Sequence, residues 1–206
     1  MLLWAGLALI VLGVLCFAID RRAALFFYMQ INRLFRLFII QTTDLAKGAH
    51  WLAVSGAAFL IAQIALALEF DSPFFYALSE YALAFLISLA AGSALLHGMK
   101  LALCRRRPRD DFEFGLYGFR PFAFERQYNS FPSGHALTIV CVAAVASAAW
   151  PQLAPVWFAI SLWLGLTRAL LTSHFLSDVF IGAGIGLIAA RETIVVLFPA
   201  LVRPWF

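Results

Sequence analysis

The sequence predicts an all-α fold: a polytopic membrane protein with six transmembrane helices and one interfacial amphipathic helix. Two observations predict it. Of 206 residues, 64% are hydrophobic and only 13% are charged, where a soluble domain is about half apolar and a quarter charged. The apolar residues are also grouped into runs close to the roughly 20 residues that a spanning helix needs. With a mean hydropathy of +0.91, little chain is left for a soluble module. Residues 1–206 therefore read as one domain embedded in a lipid bilayer, and no nucleic-acid partner is expected.

The runs fall, in order, at Leu2–Ala18, His50–Leu68, Tyr76–Met99, Gly134–Trp150, Pro155–Thr172 and Asp178–Leu197. The first has no basic residue ahead of it and no clear small-x-small cleavage site, so it reads as a spanning helix and not as a removable signal. Between the first two runs, Ile19–Gly48 mixes Phe26, Phe27, Ile31, Leu34, Phe35 and Phe38 with Gln30, Asn32, Arg33 and Arg36. That pattern suits an amphipathic helix lying in the headgroup plane. Glu69, Asp71 and Pro73 punctuate the second connection, and Pro151 and Pro155 the fourth. Trp51, Trp150 and Trp157 stand near run ends, as interfacial anchors do. The remaining long connection, Lys100–Pro132, interleaves Arg105, Arg106, Arg107, Arg109, Arg120, Arg126 and several acids with Phe and Tyr.

An even number of spans places both termini on one side and both long loops on the other. Thirteen of the fifteen Lys and Arg then share the loop face; only Arg191 and Arg203 do not. By the positive-inside rule that face would be cytoplasmic, unless the cations serve an anionic ligand. Three cysteines (Cys16, Cys104 and Cys141) at irregular spacing suit neither a disulfide framework nor a zinc site and read as small apolar residues.

Three clusters carry chemistry. In "KLALCRRRP", Lys100 and Arg107 stand two helical turns apart and share a face if the helix continues. Pro108 biases Arg107 away from helical angles and should end the helix. The competing reading is a set of cations snorkelling to lipid phosphates, and it is the favoured one for Arg105 and Arg106. In Pro132-Ser133-Gly134-His135, a helix N-terminus offers free N–H groups and a positive dipole end to an anion. Ser133 adds a hydroxyl, Gly134 permits close approach, and His135 can pass a proton near neutral pH; a plain N-cap with an incidental His would look the same. In "TRALLTSHFLSD", Arg168, His174 and Asp178 follow R-x5-H-x3-D. His174 and Asp178, at i and i+4, face each other if both are helical. A carboxylate on one imidazole nitrogen leaves the other as nucleophile or base; a structural His–Asp hydrogen bond is the alternative. His50 and His97 lack such settings and read as interface or packing residues. Together the clusters place cations, backbone donors, two His and one Asp on a single face, a set suited to a phosphoryl group.

K-x6-R-P at Lys100–Pro108, P-S-G-H at Pro132–His135 and R-x5-H-x3-D at Arg168–Asp178 resemble, in order and position, the three signatures of the type 2 phosphatidic acid phosphatase (PAP2) superfamily. The resemblance covers about residues 100–188. Thr167 stands where the family often has Ser, and keeps the hydroxyl. The resemblance implies a metal-independent membrane phosphatase without a cofactor, acting on a lipid phosphate monoester or diphosphate. It implies His174 as the nucleophile that forms a phosphohistidine, Asp178 as its orienting carboxylate and His135 as the leaving-group acid. Lys100, Arg107, Arg168, Ser133 and Gly134 would hold the phosphoryl oxygens. Substrates implied are undecaprenyl diphosphate, phosphatidylglycerol phosphate, phosphatidic acid or the lipid A 1-phosphate. The loop from Arg109 to Asn129 is expected to choose among them. Bacterial members resemble one another in facing this site away from the cytoplasm, against the charge count. The expected location is the inner membrane, multi-pass, with the site on the extracytoplasmic face. Competing classes are a non-catalytic lipid-binding relative, a haloperoxidase-like use of the site, and a lipid transporter or flippase. The intact motif residues, the apolar runs and the helix-end His–Asp pair argue against these in turn.

Overall fold

A computed structural model describes residues 1–123, 125 and 127–206; Arg126, one of the loop cations, lies outside the described residues. Nine α-helices form among the described residues, and they follow the apolar runs closely. They are α1 Leu2–Cys16, α2 Asp20–Gln30, α3 Arg33–Thr43, α4 Gly48–Ala67, α5 Pro73–Leu103, α6 Pro108–Phe114, α7 Gly134–Ala149, α8 Ala154–Leu170 and α9 Leu176–Leu197. The punctuation works as its chemistry requires. Ser72 caps α5 through Phe74 N–H, with Pro73 in the first turn where its missing donor costs nothing. Asn32 Oδ1 accepts from Phe35 N–H at 2.8 Å to start α3.

Helix α7 is the core: twelve of its sixteen residues are buried, packed among α4, α5, α8 and α9. A helix apolar all round belongs in such a place. Glycines bring backbones close, the way helices associate in lipid. A Cβ on Gly184 of α9 would come within 2.7 Å of the Gly6 carbonyl of α1. A Cβ on Gly186 would come within 2.6 Å of the Leu137 carbonyl of α7.

Four helical stretches are long and apolar enough to cross a bilayer: Arg33–Ala67, Pro73–Leu103, Pro151–Leu170 and Leu176–Leu197; α1 with α2 makes a fifth if that bent pair is one span. The expected six are thus not all confirmed. Sixteen-residue α7 falls just short of the about 17–25 residues of a spanning helix. The first long connection also differs from expectation. It holds two helices: α2 turns 84° away from α1, as an interfacial helix does, whereas α3 runs on through a 3-10 turn into α4 as one 35-residue stretch.

The chain ends meet, Leu2 N–H donating to the Trp205 carbonyl at 2.9 Å, so both termini do lie at one end of the bundle. Both long loops meet at the other: Arg21 grips Asp111 through two hydrogen bonds of 2.8 Å. All three cysteines are buried and free, and His50 and His97 are exposed on α4 and α5.

Candidate active site

Helix α5 ends one residue before Cys104, which takes a left-handed conformation (φ 46°) as the C-cap. Arg105 to Arg107 then run outside any helix, with Arg107 extended ahead of Pro108. Lys100 and Arg107 therefore do not share one helical face, a correction to the two-turn spacing: the helix stops a full turn before the proline that was expected to stop it. The two still converge. Lys100 donates through Nζ to Asn129, at 2.9 Å to the carbonyl and 2.6 Å to Oδ1, and Arg107 acts electrostatically on Lys100, His135 and Arg168.

Motif two begins α7, with Ser133 as N-cap. Its Oγ accepts from Ala136 N–H at 3.5 Å, and its own N–H donates to the Asp178 carbonyl at 2.9 Å. Ser133 is fully buried, so its N–H is not free for an anion, contrary to expectation. Among the described residues, the donors of this turn left without a partner are those of Gly134 and His135, the first two residues of a helix whose opening N–H groups have no partner within it. A Cβ on Gly134 would meet nothing within 4 Å, so the helix start faces open space.

Motif three spans the turn from α8 to α9. Arg168, in the last turn of α8, accepts at its carbonyl from Ser173 and His174 N–H at 3.0 and 3.2 Å. Its Nη1 lies 3.4 Å from Thr43 Oγ1, and its buried Nε has no hydrogen-bond partner among the described residues. Thr167 keeps its hydroxyl engaged, 2.8 Å from Thr43 Oγ1. The end of α3 thus closes over the motif.

His174 is 4% exposed and lies in the turn before α9. Its Nδ1 is 2.6 Å from the Ser130 carbonyl but 3.7 Å from Asp178 Oδ2. A carbonyl only accepts, so Nδ1 carries the proton and Nε2 keeps its lone pair. Asp178 was expected to set this tautomer directly; here Ser130 does so, because Asp178 Oδ2 is occupied by Ser130 Oγ at 2.5 Å and Phe175 N–H at 2.9 Å. Burial pushes the His174 imidazole below its ordinary value, against the pull of Asp178; Lys100 and Arg168 push the same way as burial.

That shift has a stability consequence. The unfolded chain binds a proton at His174 near pH 6.5, the folded chain only lower. Stability from this residue is complete above that pH and falls as pH drops through it. Between pH 7.5 and 5.5, wild type is expected to lose more melting temperature than His174→Asn; equal losses would show that His174 titrates normally.

Besides Ser130, sequence reasoning missed Arg105 and Asp20. Arg105 does not snorkel: it is 0% exposed and donates 2.6 Å to Asp178 Oδ1 and 2.8 Å to Asp20 Oδ2. Asp20, itself 1% exposed, opens α2. The usable signal was an acid at the end of an apolar run, where ionisable residues are functional by default.

The PAP2 superfamily model matches residues 81–200. The lipid A 1-phosphatases of Rhizobium etli and Rhizobium johnstonii are each 34% identical over 104 residues, 50% of this chain. The chain spans 45% and 43% of their lengths. The crystal structure of Aquifex aeolicus LpxE superposes with a TM-score of 0.60 at 18% identity, covering 86% of this chain and 95% of that one. The first transmembrane PAP2-type phosphatidylglycerolphosphate phosphatase from Bacillus subtilis superposes with a TM-score of 0.63 at 17% identity, covering 98% of each. Three motifs gathered at one end of a helical membrane bundle, with a family match over more than half of its length, make this chain a member of the PAP2 superfamily.

Proposed function

We propose that this protein is a metal-independent phosphatase that removes a phosphate monoester from a membrane lipid, with the lipid A 1-phosphate as its first candidate substrate. One observation carries the reading: a buried His174 with a fixed proton on Nδ1 stands among Arg168, Lys100 and the open start of α7. The names of the two Rhizobium relatives support the choice of lipid.

In this mechanism His174 Nε2 attacks phosphorus. An N–P bond forms and the bond to the lipid oxygen breaks, that oxygen taking a proton from His135. His135, now neutral, takes a proton from water; the hydroxide attacks phosphorus, the N–P bond breaks and inorganic phosphate leaves. Lys100, Arg107, Arg168 and the N–H groups of Gly134 and His135 stabilise the phosphoryl oxygens as charge builds, and Asp178 supports the cationic imidazole. Ser133 acts as the cap that holds this turn.

Purified protein in detergent should release phosphate from lipid A 1-phosphate faster than from phosphatidic acid, phosphatidylglycerol phosphate or undecaprenyl diphosphate, and equally in EDTA. Release from none of the four would end the phosphatase reading. Activity lost in EDTA and restored by magnesium would end the metal-free mechanism. His135→Ala should give a single-turnover burst with a nitrophenyl-type leaving group, since that oxygen needs no acid; steady turnover would remove His135 from the scheme.

The site faces away from the cytoplasm in this reading. Many loop cations are neutralised within the protein: Arg21 by Asp111, Lys47 by Asp44, and Arg105 by Asp20 and Asp178. They weigh less in the positive-inside count than bare side chains do. A cysteine at exposed Glu113 should react with an impermeant thiol reagent on intact cells; reaction only in inside-out vesicles would reverse the orientation.

A further inference from the structure

Arg105 is none of the fixed residues of the three motifs, standing at a variable position of the first, yet it is the most completely enclosed cation described. Its guanidinium carbon lies 4.1 Å from the Phe175 ring centroid, 5.0 Å from those of Phe17 and Phe119, and 5.7 Å from that of Tyr117. Nη1 donates to Ser177 Oγ at 2.7 Å and Asp178 Oδ1 at 2.6 Å. Nη2 donates to Asp20 Oδ2 at 2.8 Å and Tyr117 Oη at 3.3 Å. Walled by rings and committed to these four oxygens, it is not placed to hold a phosphoryl group.

Two of its partners meet the nucleophile at the same atom, Nδ1. Asp178, held by the side chain, lies 3.7 Å from His174 Nδ1. Ser130, whose carbonyl accepts the hydrogen bond from Nδ1–H, donates its own N–H to the Arg105 carbonyl at 2.9 Å. Ser130 Oγ closes the ring on Asp178 Oδ2. Asp20 seats the arginine from the opposite side and also accepts from Ser177 N–H at 3.1 Å. The charges matter as well. Arg105 alone would cancel Asp178, whereas two carboxylates around one guanidinium leave a net negative charge beside His174, where the imidazole becomes cationic on taking phosphorus. Stability is a poor reason for such an arrangement, because apolar replacements of a buried ion network are often as stable.

We propose that Arg105, seated on Asp20, is a positioning residue of this site: it fixes Asp178 and Ser130, the two groups that orient and charge-balance His174. The inference rests on the phosphatase reading above. Its effect falls on the chemical step and not on substrate binding, since Arg105 does not meet the lipid.

The test measures kcat and KM for lipid phosphate hydrolysis, with melting temperature and gel filtration in detergent, for three variants. Arg105→Met with Asp20→Asn removes one charge of each sign and leaves the net charge of the buried set unchanged. Its kcat per folded molecule should fall about 100-fold, with KM within about 3-fold of wild type. Arg105→Lys places one charge that cannot fork between two carboxylates, and should fall about 10-fold in kcat alone. Asp20→Asn should lie between Lys and wild type. A folded double variant with wild-type kcat overturns the proposal, and so does one that loses KM instead, which would place Arg105 against substrate. Should the double variant not fold, wild-type kcat in Arg105→Lys overturns it equally. If wild type itself releases no phosphate, the phosphatase reading falls and this inference with it; an active wild type with unchanged variants removes this inference alone.

Discussion

Replacing His174 by alanine is expected to abolish phosphate release from every lipid phosphate, lowering kcat by on the order of 10⁴-fold or more. The proposed reaction has no substitute nucleophile. Ser133 is fully buried, with its Oγ and N–H both engaged, and His135, in the first turn of α7, is already used as the leaving-group acid. The substitution also leaves the Ser130 carbonyl without the donor it has at 2.6 Å, a cost of about 1–3 kcal/mol for an unsatisfied buried group. Activity must therefore be compared per folded molecule, with melting temperature as the control. Substantial turnover in folded His174→Ala would show that another group attacks phosphorus.

The second large effect is expected at a residue with no side chain to titrate. Gly182→Val should lose about 2–3 kcal/mol of stability and most of the activity together. A Cβ at Gly182 would stand 2.4 Å from the Ser133 carbonyl oxygen and 3.0 Å from Ser133 N. Backbone cannot swing aside as a flexible side chain can, so α9 must move away from the start of α7. That movement breaks the Ser133 N–H to Asp178 carbonyl bond of 2.9 Å and pulls motif two from motif three. Gly98→Ala is the control: its Cβ meets nothing within 4 Å, and alanine in a helix interior should gain about 0.5–1 kcal/mol. Equal effects at the two positions would mean that close packing of α9 on Ser133 does not hold the site.

Much of this was legible in one dimension. The apolar runs mark the helices because lipid and a packed bundle both require long apolar segments with satisfied backbones. Leu2–Ala18 became Leu2–Cys16, and Asp178–Leu197 became Leu176–Leu197. Pro, Ser and Gly at the run ends set the boundaries locally, and the gathering of the motif residues followed from the helix ends they occupy. What was not legible was local geometry at the breaks. Lys100 and Arg107 looked like one helical face because spacing assumes a continuous helix, whereas the chain turns at Cys104 with φ 46°. Ile19–Gly48 looked like one amphipathic helix because hydropathy does not register the break between α2 and α3.

The i to i+4 relation of His174 and Asp178 is a property of short spacing, so the residue order alone brought them near each other. How they divide the work is not. Asp178 meets Arg105 across 73 residues of chain, Arg105 meets Asp20 across 85, and His174 Nδ1 meets the Ser130 carbonyl across 44. Contacts of that separation depend on how α2, the loop after α5 and the start of α9 pack against one another, and no periodicity encodes that. The residue types and their order thus specified a helical membrane bundle with a set suited to a phosphoryl group at one end. Tertiary packing decided which hydrogen-bond partner each carboxylate and imidazole receives, because burial leaves those groups no water to use instead.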